Sequence, residues 1–447
     1  MTRIQGTTLR AALLWMVAGL ILIQANFTLG DDWPQWRGPG RDGQWRESGI
    51  IERFESDEIE LRWRMPISSG YSGPTAADGR VYVTDRVVEP SQIERVHCFD
   101  AKGGQSLWSH SYPAPYEGIG YDAGPRASVT IEDGRAYALG AMGHLHCLDA
   151  GTGHVLWKKD LNAIYSIQHE ERTKNRMPIW GIATSPLVYE DLLILHIGGR
   201  DGACVVALDN KNGDEEWRAL RDRASYSSPI LVRQTQRDVV VCWTGDSVSG
   251  LDPESGKVHW RFPFAPSRMP IGIATPILDR DRIFVTSFYD GALMLGLNQD
   301  RLAVDKIWQQ RGRNERETKS LHSIISTPLI QDNLIYGVDS YGELRCLEAD
   351  TGERVWEDLT ATPKARWSTI HFVRNGDRIW MFNERGELII SKLSRDGFEE
   401  ISRAKLLSPT LEQLRRRDGV CWSHPAFADK HIFARNDKEI VCADLEE

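Results

Sequence analysis

One recurring unit constrains the fold of this chain more than any other feature of its sequence. In the copy from Cys147 to Trp157, an apolar run ends, turn-forming residues follow, and a second run of strand-forming residues begins. Five copies place a small residue ten positions before a tryptophan: Cys98 to Trp108, Cys147 to Trp157, Ala207 to Trp217, Gly250 to Trp260 and Cys346 to Trp356. The unit therefore predicts a repeated pair of antiparallel strands.

Three further copies are altered. The copy that begins at Gly296 reaches Trp308 two residues late, and another has Ile401 where the tryptophan is expected. The copy that begins at Cys442 has no second strand before the sequence ends, whereas Trp63 lies in a strand-like segment ahead of the first complete copy. A strand around Trp63 is predicted to complete the C-terminal sheet and close a ring.

A second marker counts the units independently, because eight short segments each precede a short strand pattern. These segments are Ser72-Gly73-Pro74, Ala127-Ser128-Val129, Ser185-Pro186, Ser228-Pro229, Thr275-Pro276, Thr327-Pro328, Ser368-Thr369 and His424-Pro425. Successive repeat tryptophans from Trp108 to Trp356 lie 49, 60, 43, 48 and 48 residues apart, close to the roughly 40 to 50 residues of a four-stranded propeller blade. We predict an all-β, eight-bladed β-propeller.

The frame from the small residue through Asp and Thr-Gly to Trp resembles the tryptophan-docking repeat of PQQ-like, quinoprotein-type propellers. That family includes quinoprotein alcohol dehydrogenases and the propeller of the outer-membrane barrel-assembly lipoprotein. The resemblance extends from about Trp63 to the end of the chain. It implies that seven indoles dock between neighbouring blades: Trp63, Trp108, Trp157, Trp217, Trp260, Trp308 and Trp356.

The N-terminal residues have the pattern of a secretory signal. Arg3 and Arg10 precede an apolar run of 13 residues, from Ala11 to Ile23, and we expect cleavage after Gly30. An uncleaved anchor is the alternative, although the run is shorter than the roughly 20 residues that span a bilayer. No cysteine precedes Cys98, so lipid anchoring is not expected.

These features predict a signal peptide over residues 1–30, a Trp-, Pro- and Gly-rich strap over 31–58 and the propeller over 59–447. The predicted location is exported, periplasmic or extracellular, with no membrane span after cleavage of the signal.

Seven cysteines cannot all pair, and four of them stand at the small-residue position of the repeat, where a buried thiol packs as an apolar group.

The connections between blades are long and basic compared with the rest of the chain. Each links the outer strand of one blade to the inner strand of the next, so all are expected on one face around the central channel. Without Arg3 and Arg10 the chain has 52 Lys and Arg against 63 Asp and Glu, whereas the connections carry a net positive charge. The pattern predicts a mouth that attracts anions, or alternatively loop ion pairs and a solvated helix over 411–417.

Nine residues just ahead of the inner strands are predicted to surround the channel mouth and to bind a ligand. They are Arg126, Trp180, Tyr226, Arg268, His322, Arg366, Trp367, Trp422 and His424. Aromatic faces beside guanidinium groups suit a planar anion, and the family resemblance implies pyrroloquinoline quinone (PQQ), with calcium, at this place. Alternatively, each aromatic residue packs within its own blade.

Several features weigh against catalysis and against a metal site. Quinoprotein dehydrogenases carry adjacent cysteines against the cofactor, and this sequence has no Cys-Cys pair. We assign no catalytic role to Glu170, Glu171, Asp122 or Asp418, although they lie in the long connections. His144 and His146 lack a third partner for zinc, and an acidic chain is not expected to bind nucleic acid.

The sequence thus predicts an exported, non-catalytic scaffold that binds a protein partner or a small anionic or carbohydrate ligand at its basic face. One alternative is a PQQ-dependent oxidoreductase of the alcohol or sugar dehydrogenase type, which would hold its cofactor by the arginines and tryptophans of the mouth. The other is a carbohydrate-binding propeller that uses Trp180, Trp367 and Trp422 as stacking surfaces.

Overall fold

The computed structural model describes residues 31–167 and 179–447. In this part of the chain, thirty-two strands form eight four-stranded antiparallel sheets, and there is one short helix. Each sheet is one blade of a ring, which confirms the predicted eight-bladed propeller. The proposed signal peptide and its cleavage site lie outside the described residues.

The strand β1 (Leu61–Pro66) precedes the first blade. Blade one consists of β2 (Thr75–Ala77), β3 (Arg80–Val87), β4 (Ile93–Asp100) and β5 (Ser106–Pro113). Blade two consists of β6 (Thr130–Glu132), β7 (Arg135–Leu139), β8 (His144–Asp149) and β9 (Val155–Asp160). The helix α1 (Leu161–Tyr165) follows, and the Asp160 carboxylate accepts a hydrogen bond from the Ala163 N–H at its start.

Blade three consists of β10 (Leu187–Tyr189), β11 (Leu192–His196), β12 (Val205–Asp209) and β13 (Glu215–Ala219). Blade four consists of β14 (Ile230–Gln234), β15 (Arg237–Trp243), β16 (Ser247–Leu251) and β17 (Val258–Pro263). Blade five consists of β18 (Ile277–Asp279), β19 (Arg282–Ser287), β20 (Gly291–Leu297) and β21 (Val304–Gln310).

Blade six consists of β22 (Leu329–Gln331), β23 (Leu334–Val338), β24 (Leu344–Glu348) and β25 (Arg354–Asp358). Blade seven consists of β26 (Ile370–Asn375), β27 (Arg378–Asn383), β28 (Glu387–Leu393) and β29 (Phe398–Lys405). Blade eight consists of β30 (Ala426–Ala428), β31 (His431–Arg435), β32 (Glu439–Asp444) and the N-terminal strand β1. The eight predicted markers each stand immediately before or at the start of an inner strand.

The ring is closed by pairing the two ends of the propeller sequence in one sheet. Strand β1 runs antiparallel to β32, and Trp63 lies opposite Cys442. One sheet built from both ends of the propeller sequence thus closes the ring, as predicted.

Six of the seven repeat tryptophans join one blade to the next through their indole N–H groups. Trp108 donates to the carbonyl of Ala150 at 3.0 Å, and Trp157 donates to the carbonyl of Asn210 at 3.1 Å. The glycine of the Thr-Gly pair makes room for this indole. Gly153 has φ +73°, and a Cβ there would lie 2.6 Å from the Trp108 ring. The turn of one blade therefore needs glycine so that the preceding blade's indole can lie flat against it.

The altered fifth repeat is accommodated by a glutamine. Trp260 donates its indole N–H to the side-chain oxygen of Gln234 at 2.9 Å. The Gln234 amide then donates to the carbonyls of Asn298 at 2.9 Å and Ala303 at 2.8 Å in blade five. Gln234 thus replaces the direct indole-to-carbonyl contact where the longer turn of blade five has no glycine.

Residues 33–45 of the strap enter the central channel from the face opposite the blade-to-blade connections. On that face, hairpin turns join each inner strand to the next strand of its blade. Trp33 pairs with Ala76 of β2, and the backbone N–H of Trp45 donates to the carbonyl of Arg374 at 2.8 Å. The buried guanidinium of Arg41 donates to the carbonyls of Ser185 at 3.3 Å and Pro229 at 3.0 Å. Because these carbonyls stand at the starts of β10 and β14, the strap fills the middle of the channel.

The seven cysteines all lie in the described residues and are buried. Cys98 and Cys147 lie directly opposite Trp108 and Trp157 in their blades, so their thiols pack at the small-residue position of the repeat. Burial raises the pKa of Cys147 to about 12, which keeps the thiol protonated and unreactive.

Among the residues that the structure describes, no helix is long and apolar enough to cross a membrane.

Candidate functional site

A cavity of about 150 Å³ lies at the end of the channel where the blade-to-blade connections meet. Its walls are mostly aromatic and aliphatic, with three isoleucines contributing alongside the rings. The aromatic lining residues are Trp36, Tyr71, Tyr121, Trp180, Tyr226, Trp367 and Trp422. A concave, largely apolar site of this kind is typical of small-molecule binding.

The floor of this mouth cavity is Trp36, which comes from the strap rather than from a blade. Its indole N–H donates to the hydroxyl of Thr275 at 2.8 Å, and its ring meets the ring of His424 edge-on at 4.3 Å between centroids. A much smaller space of about 20 Å³ beside Arg37 lies on the other side of the indole. The strap therefore stops the channel, and the cavity is a cup rather than a tunnel.

One wall consists of two stacked rings. Trp180 lies over Tyr226 at 5.1 Å between centroids and 25° between planes, and the backbone N–H of Trp180 donates to the Tyr226 hydroxyl at 3.2 Å. Burial raises the pKa of Tyr226, so this phenol stays neutral. The wall is apolar and its hydroxyl is already engaged.

Tyr121 covers part of the mouth. Its ring lies edge-on to Trp180 at 5.4 Å and to Trp367 at 5.9 Å, and it is tilted against Trp422 at 6.2 Å. Both Tyr121 and Trp367 have left-handed backbone conformations, with φ of +55° and +72°. Such conformations are unfavourable for bulky residues, and strain of this kind concentrates at functional sites.

Arg126 holds the loop that carries Tyr121. Its guanidinium donates to the carbonyl of Gly120 at 3.0 Å and also to the carbonyls of Tyr121 and Gly124. It also lies 5.0 Å from the centre of the Tyr71 ring. Arg126 lines the cavity, but its donors are occupied by the loop.

Two histidines at the base of the cavity are neutral. Burial lowers the pKa of His424 to about 3 and that of His371 to about 4. The nitrogens of His424 contact the Ser128 hydroxyl at 2.8 Å and the Pro425 carbonyl at 3.1 Å. These rings therefore provide polar contacts without charge.

Six of the nine residues proposed from sequence line the cavity: Arg126, Trp180, Tyr226, Trp367, Trp422 and His424. The other three, Arg268, His322 and Arg366, do not. His322 is completely buried, and its ring bonds to the Phe288 carbonyl at 3.0 Å and the Gly312 N–H at 3.1 Å, which makes it a packing residue. Arg268 lies over Tyr289 at 4.9 Å, and Arg366 lies over Trp367 at 4.7 Å on the rim.

The residues of the cavity do not fit a calcium-bound quinone. Calcium takes six to eight oxygen ligands, mostly carboxylates and carbonyls, yet no carboxylate or side-chain amide lines the cavity within the described ranges. Residues 31–167 and 179–447 also contain no cluster of His, Cys, Asp and Glu that could hold a metal. Glu170 and Glu171 fall outside the described residues, while Asp122 lies 3.8 Å from Arg415.

The sequence matches one family model over most of its length. Residues 92–358 and 245–447 match the family described as outer membrane protein assembly factor BamB. The chain belongs to the BamB family. Two overlapping matches on one chain agree with a ring built from repeats, since each match covers several blades.

Known relatives of this BamB-family chain include both assembly factors and dehydrogenases. Outer membrane protein assembly factor BamB of Yersinia pestis is 22% identical over 268 residues, which span 57% of this chain and 61% of that protein. Quinohemoprotein alcohol dehydrogenase ADH-IIG of Pseudomonas putida is 24% identical over 324 residues, which span 66% of this chain and 39% of the enzyme. The chain thus spans less than two thirds of the length of each.

Solved structures share the fold. The crystal structure of BamB from Moraxella catarrhalis aligns with a TM-score of 0.56 at 15% identity, covering 86% of this chain and 99% of that one. Quinohemoprotein alcohol dehydrogenase from Comamonas testosteroni aligns with a TM-score of 0.61 at 14% identity, covering 92% and 80%. At such identities the likeness concerns the propeller alone.

Proposed function

We propose that this BamB-family propeller is an exported, non-catalytic binding protein that holds a small ligand in the mouth cavity. The observation that carries the proposal is the aromatic cup itself, with Trp36 as its floor and Tyr121 over part of its mouth. A cup of this size that is lined by rings excludes water from a bound apolar group, and apolar burial is the main source of affinity for such ligands.

The chemistry of the lining residues favours binding over catalysis. A general acid or base works best when its pKa lies near the operating pH. Burial lowers the pKa values of His371 and His424 and raises those of Tyr71 and Tyr226. These shifts move the histidines and these tyrosines away from neutral pH, so they are poorly suited to transfer protons.

The two alternatives have less support. An oxidoreductase that uses calcium-bound PQQ needs oxygen ligands that the described cavity walls do not supply. A carbohydrate binder needs open aromatic faces and polar groups for sugar hydroxyls. The face of Trp180 is covered by Tyr226, and Arg366 and Arg416 both lie over Trp367.

Export is proposed from the N-terminal pattern over residues 1–30, together with a strap over 31–58 and the propeller over 59–447. Expression of the full chain in a bacterial host and N-terminal sequencing of the exported fraction test this part. We expect the mature protein to begin at Asp31. Retention of Met1 in a membrane fraction would contradict cleavage.

Binding is tested with 4-fluorophenol, a one-ring probe, followed by ¹⁹F NMR. We expect saturable binding at one site. Ala183 lines the cavity, so Ala183→Phe should fill the cavity and abolish binding while the circular dichroism spectrum stays unchanged. Leu359→Phe is the matched control, because Leu359 is exposed on a connection on the same face. Equal binding by both variants would place the probe elsewhere and refute the proposal.

A further inference from the structure

We propose that the ligand of the mouth cavity is a single aromatic ring that carries an anionic group, with the ring inside the cup and the anion at Arg366 and Arg416. This inference rests on the proposed function and adds the class of ligand. It depends on three features of the described residues: the size of the cup, the sign of the charge around it, and the guanidinium groups on its rim that still have donors to offer.

Size limits the ligand to one ring. The cavity measures about 150 Å³, and an apolar cavity of roughly 150 Å³ is known to hold one benzene molecule. Trp36 separates the cup from the small space beside Arg37, so a fused ring system cannot extend downward. A polar substituent on a bound ring must therefore point toward the rim.

Charge decides against a cationic ligand. Cups of Trp and Tyr rings are also used to bind quaternary ammonium groups, through attraction of the cation to the ring faces. Here, however, the described walls contain no carboxylate, and Arg126 forms part of the wall. A cation would therefore meet positive charge without a counter-charge in the cup, whereas an anion would be attracted.

The arginines near the mouth differ in whether their donors are engaged. Arg126 donates to carbonyls of its own loop, and Arg417 pairs with the buried Glu384 at 3.0 Å. By contrast, the guanidinium groups of Arg366 and Arg416 donate no hydrogen bond to any residue in the described part of the chain. The nearest carboxylate to Arg366 is Glu315 at 4.0 Å, and Glu315 also lies 3.9 Å from Arg268.

Both of these guanidinium groups lie against one wall of the cup. Arg366 is 4.7 Å and Arg416 is 5.5 Å from the centre of the Trp367 ring. In the described residues, Nε of Arg366 and Nε1 of Trp367 are buried without a hydrogen-bond partner. Buried donors without acceptors are rare because they are costly. The outer guanidinium nitrogens of Arg366, whose side chain is 39% exposed, would donate to a carboxylate on the rim.

The test is isothermal titration calorimetry of the full chain at pH 7.5 with three probes of the same shape. These are phenylacetate, the neutral phenylacetamide and the cationic 2-phenylethylammonium ion. We expect phenylacetate to bind about tenfold more tightly than phenylacetamide, as a charge-assisted hydrogen bond would provide, and the ammonium ion to bind most weakly. Added sodium chloride should weaken only the binding of phenylacetate.

The double variant Arg366→Met, Arg416→Met should make phenylacetate and phenylacetamide bind equally, with the affinity for the amide changed less than about twofold. Arg313→Met is the control, since Arg313 is 81% exposed on the same face and pairs with Glu317. A tenfold preference that survives in the double variant would overturn the inference, as would tighter binding of the amide or the ammonium ion by the unmodified chain. If none of the probes binds, the proposed function itself fails.

Discussion

The indole N–H of Trp36 donates to the hydroxyl of Thr275 at 2.8 Å, which joins the N-terminal strap to the start of the inner strand of blade five. This contact has two consequences for the channel. It stops the channel, and it provides the floor of the mouth cavity. A segment outside the repeats thus determines the depth of the candidate site.

Removal of this floor should change which rings the protein accepts. In Trp36→Ala the mouth cavity should join the smaller space beside Arg37, so 2-naphthol should gain about tenfold in affinity relative to phenol. We also expect a loss of about 3 kcal/mol in the free energy of unfolding. Trp33→Ala is the control, because Trp33 is buried in the strap but does not line the mouth cavity. An unchanged preference in Trp36→Ala would show that its indole does not limit the depth.

The glutamine that joins blades four and five should be essential for stability. Gln234→Leu leaves the Trp260 indole N–H and the carbonyls of Asn298 and Ala303 without their side-chain partner. We expect a loss of about 2 to 3 kcal/mol in urea unfolding, since buried polar groups without partners cost this much. Gln299→Leu removes only a contact with the nearby Leu297 carbonyl and should change stability little. Equal effects of the two substitutions would contradict this role of Gln234.

The docking tryptophans should contribute mainly through ring burial and less through hydrogen bonding. Trp157→Phe keeps a ring but loses the bond to the Asn210 carbonyl, and should cost about 1 kcal/mol. Trp157→Ala should cost about 3 to 5 kcal/mol in equilibrium unfolding. Trp356→Ala should cost less, because its indole is less buried and a Cβ on Gly397 in the facing turn would meet no atom within 4 Å. Equal losses in Trp157→Phe and Trp157→Ala would show that the hydrogen bond dominates.

Stability should fall as the pH is lowered through the ordinary range of histidine. Burial lowers the pKa of His196 to about 4, and the pKa values of His371 and His424 are lowered to about 4 and 3. Below pH 6.5 the unfolded chain binds protons that the folded protein excludes. The free energy of unfolding should therefore decrease by up to about 1.4 kcal/mol per pH unit for each histidine.

Urea unfolding between pH 7.5 and 5 measures this slope. His196 contacts the Ser227 carbonyl and the Ser225 N–H, so His196→Gln should reduce the slope by close to one proton. His154→Gln, at an exposed turn position, should leave it unchanged. The idea fails if the slope of His196→Gln equals that of the unmodified protein.

The number of blades and the closure of the ring could be predicted because they depend on local hairpins. Each copy of the repeat specifies its own turn and its own indole, and the tryptophan missing after Cys442 could be found at Trp63. The copy beginning at Gly296 was recognised as altered, but the compensating Gln234 lies in the preceding blade and carries no repeat signal. The helix over 411–417 that we considered as an alternative does not form, and α1 was not predicted.

The candidate site was predicted less completely, for a physical reason. Residues ahead of the inner strands could be placed near the mouth, but the direction of each side chain depends on loop backbone that the repeat does not determine. His322 points into the packing beside Phe288, whereas Tyr121 reaches the mouth through a left-handed backbone conformation. The composition of the strap did not indicate that Trp33 is buried between blades while Trp36 faces the cavity.

The cup takes its floor from Trp36 and part of its wall from Trp422. The first of these residues is synthesised early in translation and the second late. A nascent chain therefore has no cup until the last blade has been translated and β1 has paired with β32. Ligand affinity would then report that the ring has closed correctly, and a protein truncated before blade eight could compete neither for the ligand nor for anything that recognises the liganded state.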